Sequence, residues 1–346
     1  MKSISIILLL LLLTTFPVSA QTYTAPEAPD SAQAYMPAET EDFGADLWYI
    51  IKEAIKAIRP SLAEAGSTCF SLIALSIIVS LLKNFDSISK QTIELVSSIS
   101  IALCLVHSTN SMISLGTQTV KDINEYGKLL LPVITASLAA QGGLTTSGSI
   151  YVITSIFNTI LSNGITTLLV PMIYFLMILS IGYSAIGEVI LKNLRDFIKW
   201  LITWSLKIIL YVFTGYLSIT SVVSGTTDAA VLKATKITVS GVVPVVGNIV
   251  ADASDTILAG AGVVKNSVGV YGMLAVIAIW IAPFLQIGTH YLLLKMTTAV
   301  CSAFSPGNSI GLLRDFSGIM GILVAMSGTV CLLFFVSLVC YLKGGG

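Results

Sequence analysis

Six stretches of the chain carry almost no charged positions: about 66–82, 93–113, 159–186, 200–223, 270–294 and 317–341. Each is long enough, at 1.5 Å per helical residue, to cross a hydrocarbon layer of ~30 Å. Backbone in lipid must satisfy its own hydrogen bonds, which helices do within one segment. The pattern therefore predicts an all-α, polytopic membrane helix bundle with six spans. The third stretch is over-long and contains Asn163-Gly164 and Pro171, so it is expected to tilt or kink.

The polar positions between these stretches set the orientation. Basic residues flank alternate ends: Lys83 and Lys90, then Lys192, Arg195 and Lys199, then Lys295 and Arg314. Cytoplasmic placement of these three loops puts the mature N-terminus outside. The N-terminus agrees. Lys2 precedes the run "ISIILLLLLL", and Pro17 leads to Val18-Ser19-Ala20, so residues 1–20 read as a cleaved signal peptide. Residues 21–45 hold Pro26, Pro29 and Pro37 with five acids and no base, the composition of a disordered acidic tether.

Residues 46–60 switch to helical spacing. Trp48, Ile51, Ile55 and Ile58 share one face opposite Lys52, Glu53, Lys56 and Arg59, and Pro60 is expected to close the segment. Such a helix suits a membrane interface or packs on its own protein.

Two loops predicted to face outward, about 114–158 and 224–269, both contain a proline-valine step. The offsets 244 − 132 and 283 − 171 are both 112, relating Pro132 to Pro244 and Pro171 to Pro283. This predicts an internal repeat: residues 61–158 and 159–269, each of two spans plus an external amphipathic or re-entrant helical segment, then a shortened unit of two spans at 270–346. Both copies share one orientation, unlike the inverted repeats of many transporters.

The second outer loop is the odd one. Val246, Ile249, Val250, Ala253 and Ile257 form an apolar stripe, with Asn248, Asp252 and Asp255 opposite. That spacing is an amphipathic helix begun after Pro244 and ended near Gly260. It reads either as an inert cap on the bundle or as an assembly or pore-lining surface.

Composition narrows the function classes. The 346 residues are 55% hydrophobic and 10% charged, with 18 basic against 18 acidic residues. Mean hydropathy is +0.91. The bilayer is the dominant partner, and no basic field favours nucleic acid. Cys69, Cys104, Cys301, Cys331 and Cys340 have no metal-ligand spacing and read as buried packing thiols. No phosphate loop or HExxH occurs, so the chain is not expected to be an enzyme or to hold a cofactor or metal.

Residue identity then adds what composition lacks. The runs "VVPVVGNIVADASDTILAGAGVVKNSVGVYG" and "LPVITASLAAQGGLTTSG" resemble the stage III sporulation protein AE family, over about residues 45 to 341. The matching positions are Pro244, Val245, Val246, Gly247, Asp252, Asp255, Thr256, Lys265, Asn266 and Gly269. The resemblance implies a multi-pass protein of the mother-cell membrane around the engulfed forespore. It implies partners as well: other membrane subunits, a separate ATPase and a forespore channel partner, together forming a transenvelope, secretion-like channel needed for forespore development and late gene expression.

Three further features stand out. Lys207 lies about eight residues past a basic flank, roughly 12 Å along a helix; it either snorkels to headgroups or faces a polar path. Gly318, Gly321, Ala325 and Gly328 form a small-residue stripe suited to close helix packing. His107 and His290 lack a carboxylate at helical spacing and read as bundle residues. The alternative to a complex subunit is a stand-alone secondary transporter for a small solute, which expects buried charges and broken helices at the midplane of both repeats.

Overall fold

The computed structural model describes residues 24–38, 40, 42–82, 89–140, 144–224, 267–304 and 307–344. Among them there are helices and no strands: α1 (Asp30–Gln33), α2 (Phe43–Ala57), α3 (Arg59–Leu82), α4 (Lys90–Ala140), α5 (Leu144–Asn163), a π-helical segment (Gly164–Leu169), α6 (Val170–Ile186), α7 (Val189–Ser224), α8 (Ser267–Phe304) and α9 (Asn308–Gly344). Six continuous stretches are long and apolar enough to span a membrane, beginning with Phe43–Leu82 and ending with Ser309–Val339. The chain is a multi-pass membrane helix bundle.

Burial sorts the helices. In α8 and α9, 72% and 78% of the most apolar stretch is enclosed, against 22% for α2–α3 and 17% for α7. The pair α8 and α9 is the centre; α4 packs across both, and α3 and α7 lie at the edges. Close contact comes from missing side chains. A Cβ on Gly127 would stand 2.4 Å from the Phe334 ring, and one on Gly272 would stand 2.7 Å from Leu130. Small residues at such points let helix backbones approach without a hydrophobic driving force, which lipid does not supply.

The long apolar faces override two local breakers. Proline inside a helix costs ~3 kcal/mol, yet α4 runs through Pro132, where Leu130, Leu131 and Ile134 are buried. At 51 residues, α4 is about 76 Å long, more than twice the ~30 Å hydrocarbon layer. The expected kink in the third span is a π-helical segment between Asn163 and Val170, just before Pro171. Pro171 has no N–H to give the carbonyl four residues earlier, and a widened turn there re-pairs the backbone.

Four expectations change. The described residues of 114–158 are not a separate external amphipathic segment: 114–140 extend α4, 144–158 begin α5, and Val120, Ile123, Tyr126, Ile150 and Phe157 are buried in the bundle. Residues 24–38 are not a loose tether but pack on the bundle, with Ala28 and Ala32 buried. Tyr126 donates to the Pro26 carbonyl at 3.2 Å, and Ser31 to Asp122 at 2.8 Å. Pro60 opens α3 rather than closing a segment, because its missing N–H costs nothing in a first helical turn. In α2 the buried face is Asp46, Ile50 and Ala54, while Trp48 and Ile55 face outward beside Lys52 and Lys56.

Candidate functional site

The short connections converge on one end of the bundle. Ser80 on α3 donates to the Phe304 carbonyl at 2.8 Å, and Ser97 on α4 lies 3.0 Å from Ser309 on α9. Ser98 donates to the Ser184 carbonyl at 2.9 Å. The described basic flanks, Lys192, Arg195 and Lys199 with Lys295 and Arg314, therefore share one side. The chain crosses from α6 to α7 in two residues, Gly187 and Glu188. Gly187 takes φ 80°, the left-handed conformation that a Cβ would strain, and its N–H donates to the Tyr183 carbonyl at 2.8 Å.

This end contains the strongest charge constellation of the described residues. Arg195 Nη1 donates to Asp315 Oδ2 at 2.9 Å, and Nη2 donates to Asp196 Oδ1 at 2.7 Å. The guanidinium also stacks 4.7 Å from the centre of the Tyr183 ring. The Arg195 and Asp315 side chains are only 13% and 12% exposed. The pair thus ties peripheral α7 to central α9, and breaking one half leaves a buried charge uncompensated. Sequence reading passed it over, although a signal exists: the tetrapeptide Leu-Arg-Asp-Phe occurs at 194–197 and again at 313–316. The structure pairs the arginine of the first copy with the aspartate of the second.

The profile of the family described as "Stage III sporulation protein AE" matches residues 31–345. The chain belongs to that family. It is 26% identical over 284 residues to the stage III sporulation protein AE of Bacillus subtilis (strain 168), covering 80% of this chain and 70% of that protein. No solved structure matches. Membership gives the chain a place among sporulation proteins, and the six apolar helices make it a membrane one.

The residues singled out for the family resemblance separate. Pro244, Val245, Val246, Gly247, Asp252, Asp255, Thr256, Lys265 and Asn266 lie outside the described residues; Gly269 is buried in the first turn of α8. In the small-residue stripe, Gly321 meets α8: a Cβ there would lie 3.0 Å from the Tyr291 ring. Gly318 faces another way, toward Lys199 Nζ on α7, 3.7 Å from where its Cβ would be. Ala325 is half-buried and Gly328 buried. One stripe therefore serves two neighbours.

Lys207 is half-buried on α7 and makes no ion pair among the described residues. His290 is buried and its Nδ1 donates to the Gln286 carbonyl at 3.0 Å, while His107 faces outward. Cys301 and Cys331 are buried, Cys69 is half-buried and Cys104 is exposed. Cys104 departs from the buried-thiol expectation because it lies on the outward face of α4 with exposed Leu103 beside it. The Cys340 side chain lies outside the described residues.

Proposed function

We propose that this chain is an integral membrane subunit of the mother-cell sporulation complex that builds a transenvelope, secretion-like channel to the engulfed forespore. The observation that carries the reading is a family match over residues 31–345 on a chain with six membrane-length helices. In this reading the bundle is a platform without catalysis of its own, and a separate ATPase among its partners supplies any driving energy. The interhelical tie between Arg195 and Asp315, with glycine contacts that admit no side chain, suits a subunit that holds its shape within an assembly.

The amphipathic stretch around Asp252 and Asp255 is the proposed contact with a partner or with a hydrated passage. Replacing both with Asn keeps size and removes charge, and isolated exposed charges contribute little to stability. The double variant is expected to keep normal protein level and lose late forespore gene expression. Normal expression at normal level would remove these carboxylates from the functional surface. For the complex itself, tagged chain recovered from sporulating cells should bring down other membrane subunits and an ATPase. Solute transport by the purified chain alone in liposomes would overturn the reading in favour of a permease.

A further inference from the structure

At the end of the bundle where the short turns meet, α7 and α8 both pack on α9 and leave a cleft of about 450 Å³ above it. Three cations line it, one from each helix: Lys199, Lys295 and Arg314. No carboxylate is among its lining residues. The duplicated Leu-Arg-Asp-Phe explains the imbalance. Arg195 takes both aspartates of the two copies, Asp196 and Asp315, so Arg314 is left at the cleft with no ion pair among the described residues. Asp315 attracts Lys199 as well as Arg195, whereas Lys295 and Arg314 have no ion pair among the described residues. The three cations repel across the hollow, and an anion between them reverses the sign of that interaction.

The walls are prepared for such a guest. Lys295 Nζ donates to the Tyr291 hydroxyl at 3.0 Å and stands 5.3 Å from the centre of its ring, which holds the ammonium at the rim. Ser317 adds a hydroxyl group that can donate to an oxyanion, while the Thr298 hydroxyl donates to the Leu294 carbonyl at 2.7 Å. Gly318 leaves room for the Lys199 ammonium directly over the α9 backbone. One position round α8 from Tyr291, Lys295 and Ala299, the exposed row Leu292, Met296 and Val300 forms an apolar face beside the cleft. A cationic, hydroxyl-lined hollow against an apolar face matches a molecule with an anionic head and hydrocarbon chains. A soluble anion makes no use of the apolar row.

We propose that this cleft binds the phosphate of an anionic phospholipid, with Lys199, Lys295 and Arg314 around the headgroup and the acyl chains along Leu292, Met296 and Val300. The inference does not depend on the channel reading. It places the site at the end that the basic flanks predict to be cytoplasmic.

The test uses the full chain in detergent, titrated with phosphatidylglycerol, phosphatidylcholine or inorganic phosphate and read by thermal stability and by lipid retained on purification. Phosphatidylglycerol is expected to stabilise and to be retained. Each of Lys199→Gln, Lys295→Gln and Arg314→Gln should weaken it about fivefold, since a basic residue near a membrane surface contributes on the order of 1 kcal/mol. Lys295→Arg should retain binding, and Lys192→Gln, outside the cleft, should behave as wild type. Equal retention by wild type and the triple Gln variant overturns the proposal, as does equal preference for phosphatidylcholine. Stabilisation by inorganic phosphate that matches the lipid overturns the lipid assignment. A triple variant that elutes and melts like wild type without lipid excludes misfolding as the cause of lost binding; should it misfold, the single variants decide.

Discussion

Arg195 on α7 and Asp315 on α9 meet at 2.9 Å, 120 residues apart in sequence, each within one copy of the same tetrapeptide. Helix α7 is the most exposed of the six spans, so this pair is its main polar tie to the centre of the bundle.

Removing one partner of a fully buried pair typically costs about 3–5 kcal/mol, and the cost here should be smaller because the pair is partly buried and Arg195 also holds Asp196. Arg195→Gln should therefore lower the melting temperature of the detergent-solubilised chain and its level in the membrane. Asp315→Asn should do the same. The double variant Arg195→Gln/Asp315→Asn should lose less than the two single losses added together, because neither charge is stranded. Strict additivity would show that the two side chains do not act on each other.

Gly127 faces the Phe334 ring where no Cβ fits. An aromatic ring cannot fold aside as a flexible chain end does, so Gly127→Ala must part α4 from α9. Overpacking of this kind costs about 1–3 kcal/mol. Reduced membrane level is expected, with recovery on adding Phe334→Leu. A Gly127→Ala chain as stable as wild type would mean that the two helices stand further apart.

Ala32 is completely buried on the bundle, although it lies in an acidic, proline-rich segment. Ala32→Glu places a charge there and should free residues 24–38 for protease while the six spans stay intact. Cleavage in that segment at the wild-type rate would show that Ala32 does not hold it.

Cysteine placed at Asn193, which is exposed near the short turns, and at Glu27, exposed in the N-terminal segment, should be modified from opposite sides of the membrane. In a background lacking the native cysteines, an impermeant reagent applied to intact cells should reach residue 27 and spare 193. The reverse pattern would invert the topology drawn from the basic flanks. Ser309 is a poor probe, since it is buried against Ser97.

The six spans, their helical character and the shared side of the described basic flanks were legible in the chain, because each depends on local composition. An apolar run of sufficient length has no alternative to a helix in lipid, and basic residues keep to one side for reasons of local charge. The break near Pro171 was readable on the same ground, since a missing N–H acts within one turn. Tertiary packing decided the rest. It carried α4 on through Pro132, where propensity argued for a stop, because buried Leu130, Leu131 and Ile134 outweigh one lost hydrogen bond. It pinned Ala28 and Ala32 against helices more than 80 residues away in sequence, against the composition of their own segment. It brought Asp315 to Arg195 beside Arg195's own neighbour Asp196, which ties α7 to α9, and so left Arg314 at an open cleft. Which arginine finds which aspartate depends on how the helices stack, and in a bundle without a hydrophobic drive between helices that stacking follows from shape: where glycines such as Gly127, Gly272 and Gly321 let one backbone approach the next.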